Sequence, residues 1–201
     1  MRKRILSLIL LSGCVGQSGH YEYSNDASQK TDLTFTGIPS ILGVGTIGTT
    51  FPVSESMSLT AKHVAKTTIN SVVAYHPDCD LALIKHNNSG KAIPSFKNIM
   101  LGDKIKIYGH SMITTLPVES SGVALRNYYL TDNRWNNEKC IVTSSSAGAI
   151  QGMSGGPVYS DDGHIVGVLI AVSSESSNEF NTIFVPYSQF ENWLDDVRKT
   201  S

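Results

Sequence analysis

Gly152-Met153-Ser154-Gly155-Gly156-Pro157-Val158 places a serine on a turn built largely from glycine. Glycines on either side permit backbone angles that other residues resist, so the hydroxyl is presented and neighbouring N–H groups are freed from sheet pairing. The amides of Gly152 and Ser154 can then converge on the oxyanion of a tetrahedral intermediate. Pro157-Val158-Tyr159 opens a strand after the turn, whereas a nucleophile elbow must open a helix, and this disfavours an α/β-hydrolase esterase. A serine nucleophile needs a base. Leu59-Thr60-Ala61-Lys62-His63-Val64 sets His63 at the end of an apolar run, and none of the other five histidines has a comparable setting. The base in turn needs an orienting carboxylate. Asp80 runs straight into Leu81-Ala82-Leu83-Ile84, where a charge without a partner is costly. An imidazole donating Nδ1–H would be that partner, and Asp78, two residues earlier in the turn, is the weaker candidate.

The elements that must position these residues are short and β-rich. Apolar, β-branched runs over 41–47, 56–61, 69–75, 81–84 and 104–108 form a first set; 122–125, 128–131, 140–144, 156–159, 164–172 and 182–185 form a second. Ser160-Asp161-Asp162-Gly163 and Leu101-Gly102-Asp103 supply turn chemistry between them. A helix is expected only at the end, where Ser188 can cap a run with Phe190, Trp193, Leu194 and Val197 at spacings of three and four. The chain is therefore expected to be all-β with a short C-terminal helix, a sandwich or barrel and not a parallel sheet.

The order His63, Asp80, Ser154 is that of chymotrypsin-type enzymes. Thr60-Ala61-x-His63, Asp80-Leu81-Ala82-Leu83 and Gly152-x-Ser154-Gly155-Gly156-Pro157 in succession resemble the trypsin-like peptidase family, including bacterial relatives of the high-temperature-requirement type. Gly43-x-Gly45, Leu101-Gly102-Asp103 before Ile105, and Val166-Gly167-Val168 support the resemblance, which covers about 38–194. It implies two six-stranded antiparallel β-barrels (the chymotrypsin-like fold) with the triad in the cleft, and a serine endopeptidase acting through an acyl-enzyme. Three features depart from the pattern. Met153 stands where trypsins carry an aspartate that pairs with a freed N-terminus, so that activation switch is absent. Only 17 positions separate His63 from Asp80, which leaves the first barrel short of a hairpin, with one strand over 69–75 in the gap. The pocket floor falls near Gly148, flanked by Ala147 and Ala149, with Ile170-Ala171-Val172 as the wall. No acid or histidine is placed to pair a charged side chain, so a shallow pocket for small or aliphatic residues is expected.

The first residues read separately from the fold. Met1-Arg2-Lys3-Arg4 is basic, the apolar run 5–11 is too short to span a bilayer, and Leu11-Ser12-Gly13-Cys14 resembles a bacterial lipobox. A lipoprotein signal peptide is expected over 1–13, with Cys14 as the acylated (palmitate-type) N-terminus. Residues 14–36, poor in aliphatics, read as a flexible tether, although Tyr21 and Tyr23 could dock, and 37–201 as the protease domain. Val15 after Cys14, not the Asp that resembles an inner-membrane retention signal, directs the expectation in a Gram-negative host to the outer membrane facing the periplasm. Cys79 and Cys140 remain, and the sequence leaves open whether they bridge.

Charge nearly cancels, with 16 Lys+Arg against 17 Asp+Glu, so no long-range field recruits nucleic acid. Expected partners are a protein or peptide substrate and a membrane reached through the lipid. No cofactor and no metal are expected, since neither Cys-x-x-Cys nor His-x-x-x-His occurs. The alternative function is a catalytically silent lipoprotein that uses the same fold as a binding or blocking module.

Overall fold

A computed structural model of the chain describes residues 17–38, 44–68, 70–129, 139–172 and 181–200. Cys14 and the signal peptide expected over 1–13 lie outside them. Among the described residues no helix is long and apolar enough to cross a membrane.

The first of the two expected barrels is represented among the described residues by a five-stranded antiparallel sheet in the order β3-β4-β5-β7-β6, built from β3 (Asp32–Ile38), β4 (Val44–Pro52), β5 (Met57–Ala61), β6 (Val72–Tyr75) and β7 (Leu81–Lys85). Period-2 alternation on β7 sends Leu81 and Leu83 into the main core, with Leu59 of the paired β5, while Ala82 and Ile84 face Ala65. Ala65 belongs to α2 (Lys62–Thr67), which covers that outer face, so both faces of β7 are buried. Six strands were expected here. The short chain between His63 and Asp80 has room for β6 alone, which is why the described sheet stops at five. Between its two edges Asn70 Nδ2 donates to Thr34 Oγ1 at 2.7 Å.

The second barrel has the expected six strands. β8 (Lys104–His110), β9 (Pro117–Tyr129), β10 (Ile141–Ser145), β14 (Thr182–Pro186), β13 (Ile165–Val172) and β12 (Pro157–Ser160) pair in that order, and β12 returns to β8 to close the ring. Ile105, Ile107, Val118, Val158, Val166, Leu169 and Phe184 fill it. The strands expected at 122–125 and 128–131 are one 13-residue strand, β9. Its first half pairs with β8 and its second half with β10, so a single strand turns the barrel's corner.

The N-terminal segment differs most from expectation. In place of a tether over 14–36, the chain from Gln17 on is docked. β1 (Gln17–Ser18) pairs with β11 (Ala149–Ile150), β2 (Glu22–Tyr23) pairs with β9, and α1 (Asn25–Lys30) lies against the second barrel. Ser24 caps α1, its hydroxyl accepting from Ala27 N at 3.3 Å. Lys30 bonds Asp26 at 2.6 Å and lies over the Tyr108 and Tyr159 rings at 4.4 and 4.9 Å, and Tyr108 OH donates to Asp26 at 2.9 Å. This polar docking escapes a reading keyed to aliphatic content. Burial raises the Tyr159 phenol to about 12, so it stays neutral beside the lysine.

At the other end, a 3₁₀ turn (Tyr187–Gln189) leads into α3 (Glu191–Thr200), so Ser188 lies within the turn and is not a cap. Leu194 of α3 is fully buried in the main core, and Trp193 and Val197 are partly buried against that same core.

Candidate active site

His63 is the second residue of α2, which begins directly where β5 ends. Asp80 closes the turn between β6 and β7. Because β5 and β7 are hydrogen-bonded neighbours with Ala61 opposite Leu81, the residues just beyond that register meet. Asp80 Oδ2 lies 2.5 Å from His63 Nδ1, and Asp80 Oδ1 accepts from the His63 backbone N–H at 2.9 Å. The carboxylate is 3% exposed, so the imidazole is what makes its burial tolerable. With Nδ1–H donated to Asp80, the neutral ring keeps its lone pair on Nε2. Asp78 contributes its backbone N–H to the same turn, donating to His76 Nδ1 at 3.1 Å.

Ser154 lies in the turn between β11 and β12 and is half-buried. A Cβ on Gly155 would stand 2.2 Å from Thr49 O and 2.3 Å from Thr60 Oγ1. Only glycine, here at φ +88°, lets the serine turn come this close to the β5 end that leads into His63. Ser154 O accepts from Thr49 N at 2.8 Å, which fixes the serine's backbone to the first barrel.

Two peptide planes of the turn are set by their carbonyls. Gln151 O accepts from Met112 N at 2.7 Å and Met153 O accepts from Gly156 N at 2.9 Å. Carbonyl and amide of a trans peptide point opposite ways, so Gly152 N–H and Ser154 N–H face away from those donors. Among the described residues neither amide has a backbone acceptor, whereas Met153 N and Gly155 N donate to Ile150 O and Leu169 O. Thr49 steadies the arrangement from the first barrel: its hydroxyl donates to Gly152 O at 2.8 Å and accepts from His110 N at 3.0 Å. Met153 is fully buried in the second core, filling volume where trypsins place a charge.

The residues expected to form the pocket belong to segments on either side of one strand. β14 separates β10 from β13, with Thr182 opposite both Ser145 and Val172, so the chain after β10 and the end of β13 flank one strand. Ile170 is buried in the core, and Ala171 and Val172 are half-buried. Gly148 carries something the sequence did not show: a Cβ there would lie 2.3 Å from His20 O and 2.5 Å from His20 N. The docked N-terminal segment therefore covers one face of the expected pocket floor. Ser18 Oγ donates to Asn181 Oδ1 at 2.9 Å, and Asn181 Nδ2 to Ser146 O at 2.6 Å, which holds the segment in place.

Cys79 and Cys140 are joined in a disulfide, with both residues buried. The bond ties the residue before Asp80 to the start of β10, and so one barrel to the other. Thr49, His76, Gln189 and this pairing were missed as parts of the site. Their partners are distant in sequence, and no local motif marks them. Among the described residues no cluster of side chains is placed to hold a metal ion.

A closed six-stranded barrel carrying a Gly-framed serine turn, packed with a five-stranded sheet carrying a His–Asp couple and followed by a short C-terminal helix, is a chymotrypsin-like arrangement. Residues 48–168 match the trypsin-like peptidase domain, and the chain belongs to that family. No curated protein matches it by sequence. The active form of the Rv3671c protease from M. tuberculosis is similar in structure, with a TM-score of 0.70 at 16% identity over 86% of this chain and 82% of that one. The HtrA-type protease AlgW, solved with a tripeptide, gives 0.69 at 17% identity over 87% and 62%. The MamO protease domain from Magnetospirillum magneticum gives 0.64 at 16% over 84% and 97%. The chain thus shares the fold of trypsin-like and HtrA-type serine proteases.

Proposed function

We propose that the chain is a serine endopeptidase in which His63, Asp80 and Ser154 form the triad. The observation that carries this reading is the His63–Asp80 pair at 2.5 Å, set beside a serine turn whose Gly152 and Ser154 amides have no backbone acceptor. Ser154 Oγ attacks the peptide carbonyl as its proton passes to His63 Nε2. Asp80 accepts the Nδ1 hydrogen bond throughout and stabilises the imidazolium. The Gly152 and Ser154 amides hold the oxyanion, His63 returns its proton to the departing amine, and water then releases the acyl group by the same route. The substrate is a protein or peptide, as the tripeptide bound in AlgW suggests for the shared fold. Ala171 and Val172, half-buried at the end of β13, favour a small or aliphatic residue before the scissile bond. Cys14, following the signal peptide over 1–13, anchors the enzyme to the cell envelope, at the outer membrane facing the periplasm in a Gram-negative host.

The test is fluorophosphonate labelling of a lipid-free chain beginning at Val15, beside Ser154→Ala. Labelling in the first and none in the second is expected, with peptide-library cleavage after small or aliphatic residues. A folded wild type that does not label would leave the binding or blocking module as the reading. Cleavage after Arg, Lys or Glu would remove the pocket assignment alone.

A further inference from the structure

The turn that carries Asp80 is organised around the ring of His76, which is 5% exposed and uses both nitrogens. Nδ1 accepts from Asp78 N at 3.1 Å and from Cys79 N at 2.9 Å. A nitrogen that accepts two amide protons carries none of its own, so the hydrogen sits on Nε2 and is donated to Gln189 O at 3.1 Å. The ring also packs edge-on against Trp193 of α3, with centroids 5.0 Å apart. Backbone bonds complete the turn, from His76 N to Leu81 O at 2.9 Å and from Leu81 N to Cys79 O at 2.8 Å. The Gln189 side chain accepts from Ile141 N at 3.1 Å, next to the half-cystine Cys140. One ring thus joins the C-terminal segment to the peptide units immediately before Asp80.

We propose that His76 is a positioning residue for the His63–Asp80 pair, holding the 76–80 turn in the shape that aims the Asp80 carboxylate at His63. The inference rests on the serine-protease reading of the site. Asp80 makes its two bonds to His63 from a buried place, and displacing its backbone by about 1 Å would break both; errors of that size cost on the order of 100-fold in rate. Only the neutral ring can accept the two amides. Burial, the largest influence, pushes His76 below its ordinary basicity, with Lys62 of α2 acting in the same sense. The Gln189 carbonyl from the 3₁₀ turn and Asp78 from the 76–80 turn oppose it, and the face toward α3 meets the uncharged Trp193 ring.

Two substitutions separate positioning from packing. His76→Phe keeps an aromatic ring against Trp193 but accepts nothing. His76→Asn loses the ring and the Gln189 bond, yet its side-chain oxygen can accept the amides two and three residues on, as in an Asx turn. The measurements are kcat and KM on a peptide substrate, the rate of fluorophosphonate labelling, the melting temperature, and the low-field proton resonance of His63 Nδ1–H. For His76→Phe we expect kcat and labelling to fall about 100-fold, KM to stay within about twofold, and the resonance to shift or vanish. His76→Asn should melt lower than His76→Phe yet be the more active of the two and keep the resonance. Activity that merely follows melting temperature, or labelling of His76→Phe at the wild-type rate, would overturn the proposal. A wild type that never labels would instead overturn the protease reading, and the resonance would still decide what His76 holds.

Discussion

Thr49 shows how much of the site depends on a side chain that does no chemistry. It is fully buried, its amide holds Ser154 O, and its hydroxyl stands between Gly152 O and His110 N. Thr49→Val keeps the shape and leaves a buried carbonyl and a buried amide without this partner. Unsatisfied groups of that kind cost about 1–3 kcal/mol each. The expected outcome is a melting temperature several degrees lower together with kcat down about tenfold or more, because Gly152 O anchors the peptide unit next to the proposed oxyanion amides. A variant that loses stability but keeps kcat would show that the turn holds its shape without Thr49. The pairing of His63 with Asp80 was legible in the sequence because each sits in a local pattern, a strand end and a charge entering an apolar run, and Ser154, the proposed nucleophile, was singled out by its glycine-framed turn. Thr49 lies in a run of small and β-branched residues that looks like any strand, and its role arises only when two barrels meet.

At the scale of elements, the turn between β6 and β7 has two fasteners to distant parts of the chain, the His76 ring and the Cys79–Cys140 bond. The bond closes a loop with a sequence separation of 61, which in the chain-entropy account stabilises the fold by about 4 kcal/mol. Reduction, or paired Cys79→Ala and Cys140→Ala substitutions, is expected to lower the melting temperature by about 10 °C. Calorimetry with and without reductant checks this, and an unchanged melting temperature would show that packing alone holds the barrels together. Strand positions were largely legible from β-branched runs between turn residues. The pairing of the cysteines was not, since their chance of meeting depends on how β10 is placed against the first barrel. Nor was the continuity of β9, where Ser120-Ser121-Gly122 and Arg126-Asn127 interrupt the apolar pattern of a strand that bends between two partners.

Across the whole molecule, the largest revision concerns the residues ahead of β3. Low aliphatic content suggested a tether, but docking here uses backbone pairing, a capped helix and a lysine over two tyrosines, none of which needs aliphatic side chains. Removing residues through His20 would unpair β11 and uncover Gly148 while leaving α1 in place. Since β1 is short and Gln17 is exposed, such a chain should melt only a few degrees lower. Its kcat/KM on small-residue substrates is nevertheless expected to change several-fold, because β11 leads directly into the serine turn. Equal kinetics for chains beginning at Val15 and at Tyr21 would separate the docked segment from the pocket.

The pairing of Gln17 with Ile150 also acts as a ruler. Cys14 precedes Gln17 by three residues, which reach about 11 Å at full extension. With the lipid on Cys14 as proposed, the catalytic barrel cannot roam above the bilayer; it stands beside it, with the strand that feeds the serine turn nearest the headgroups. Height above the membrane would then join side-chain fit in choosing what is cut, favouring chain segments that emerge within a few residues of the lipid surface.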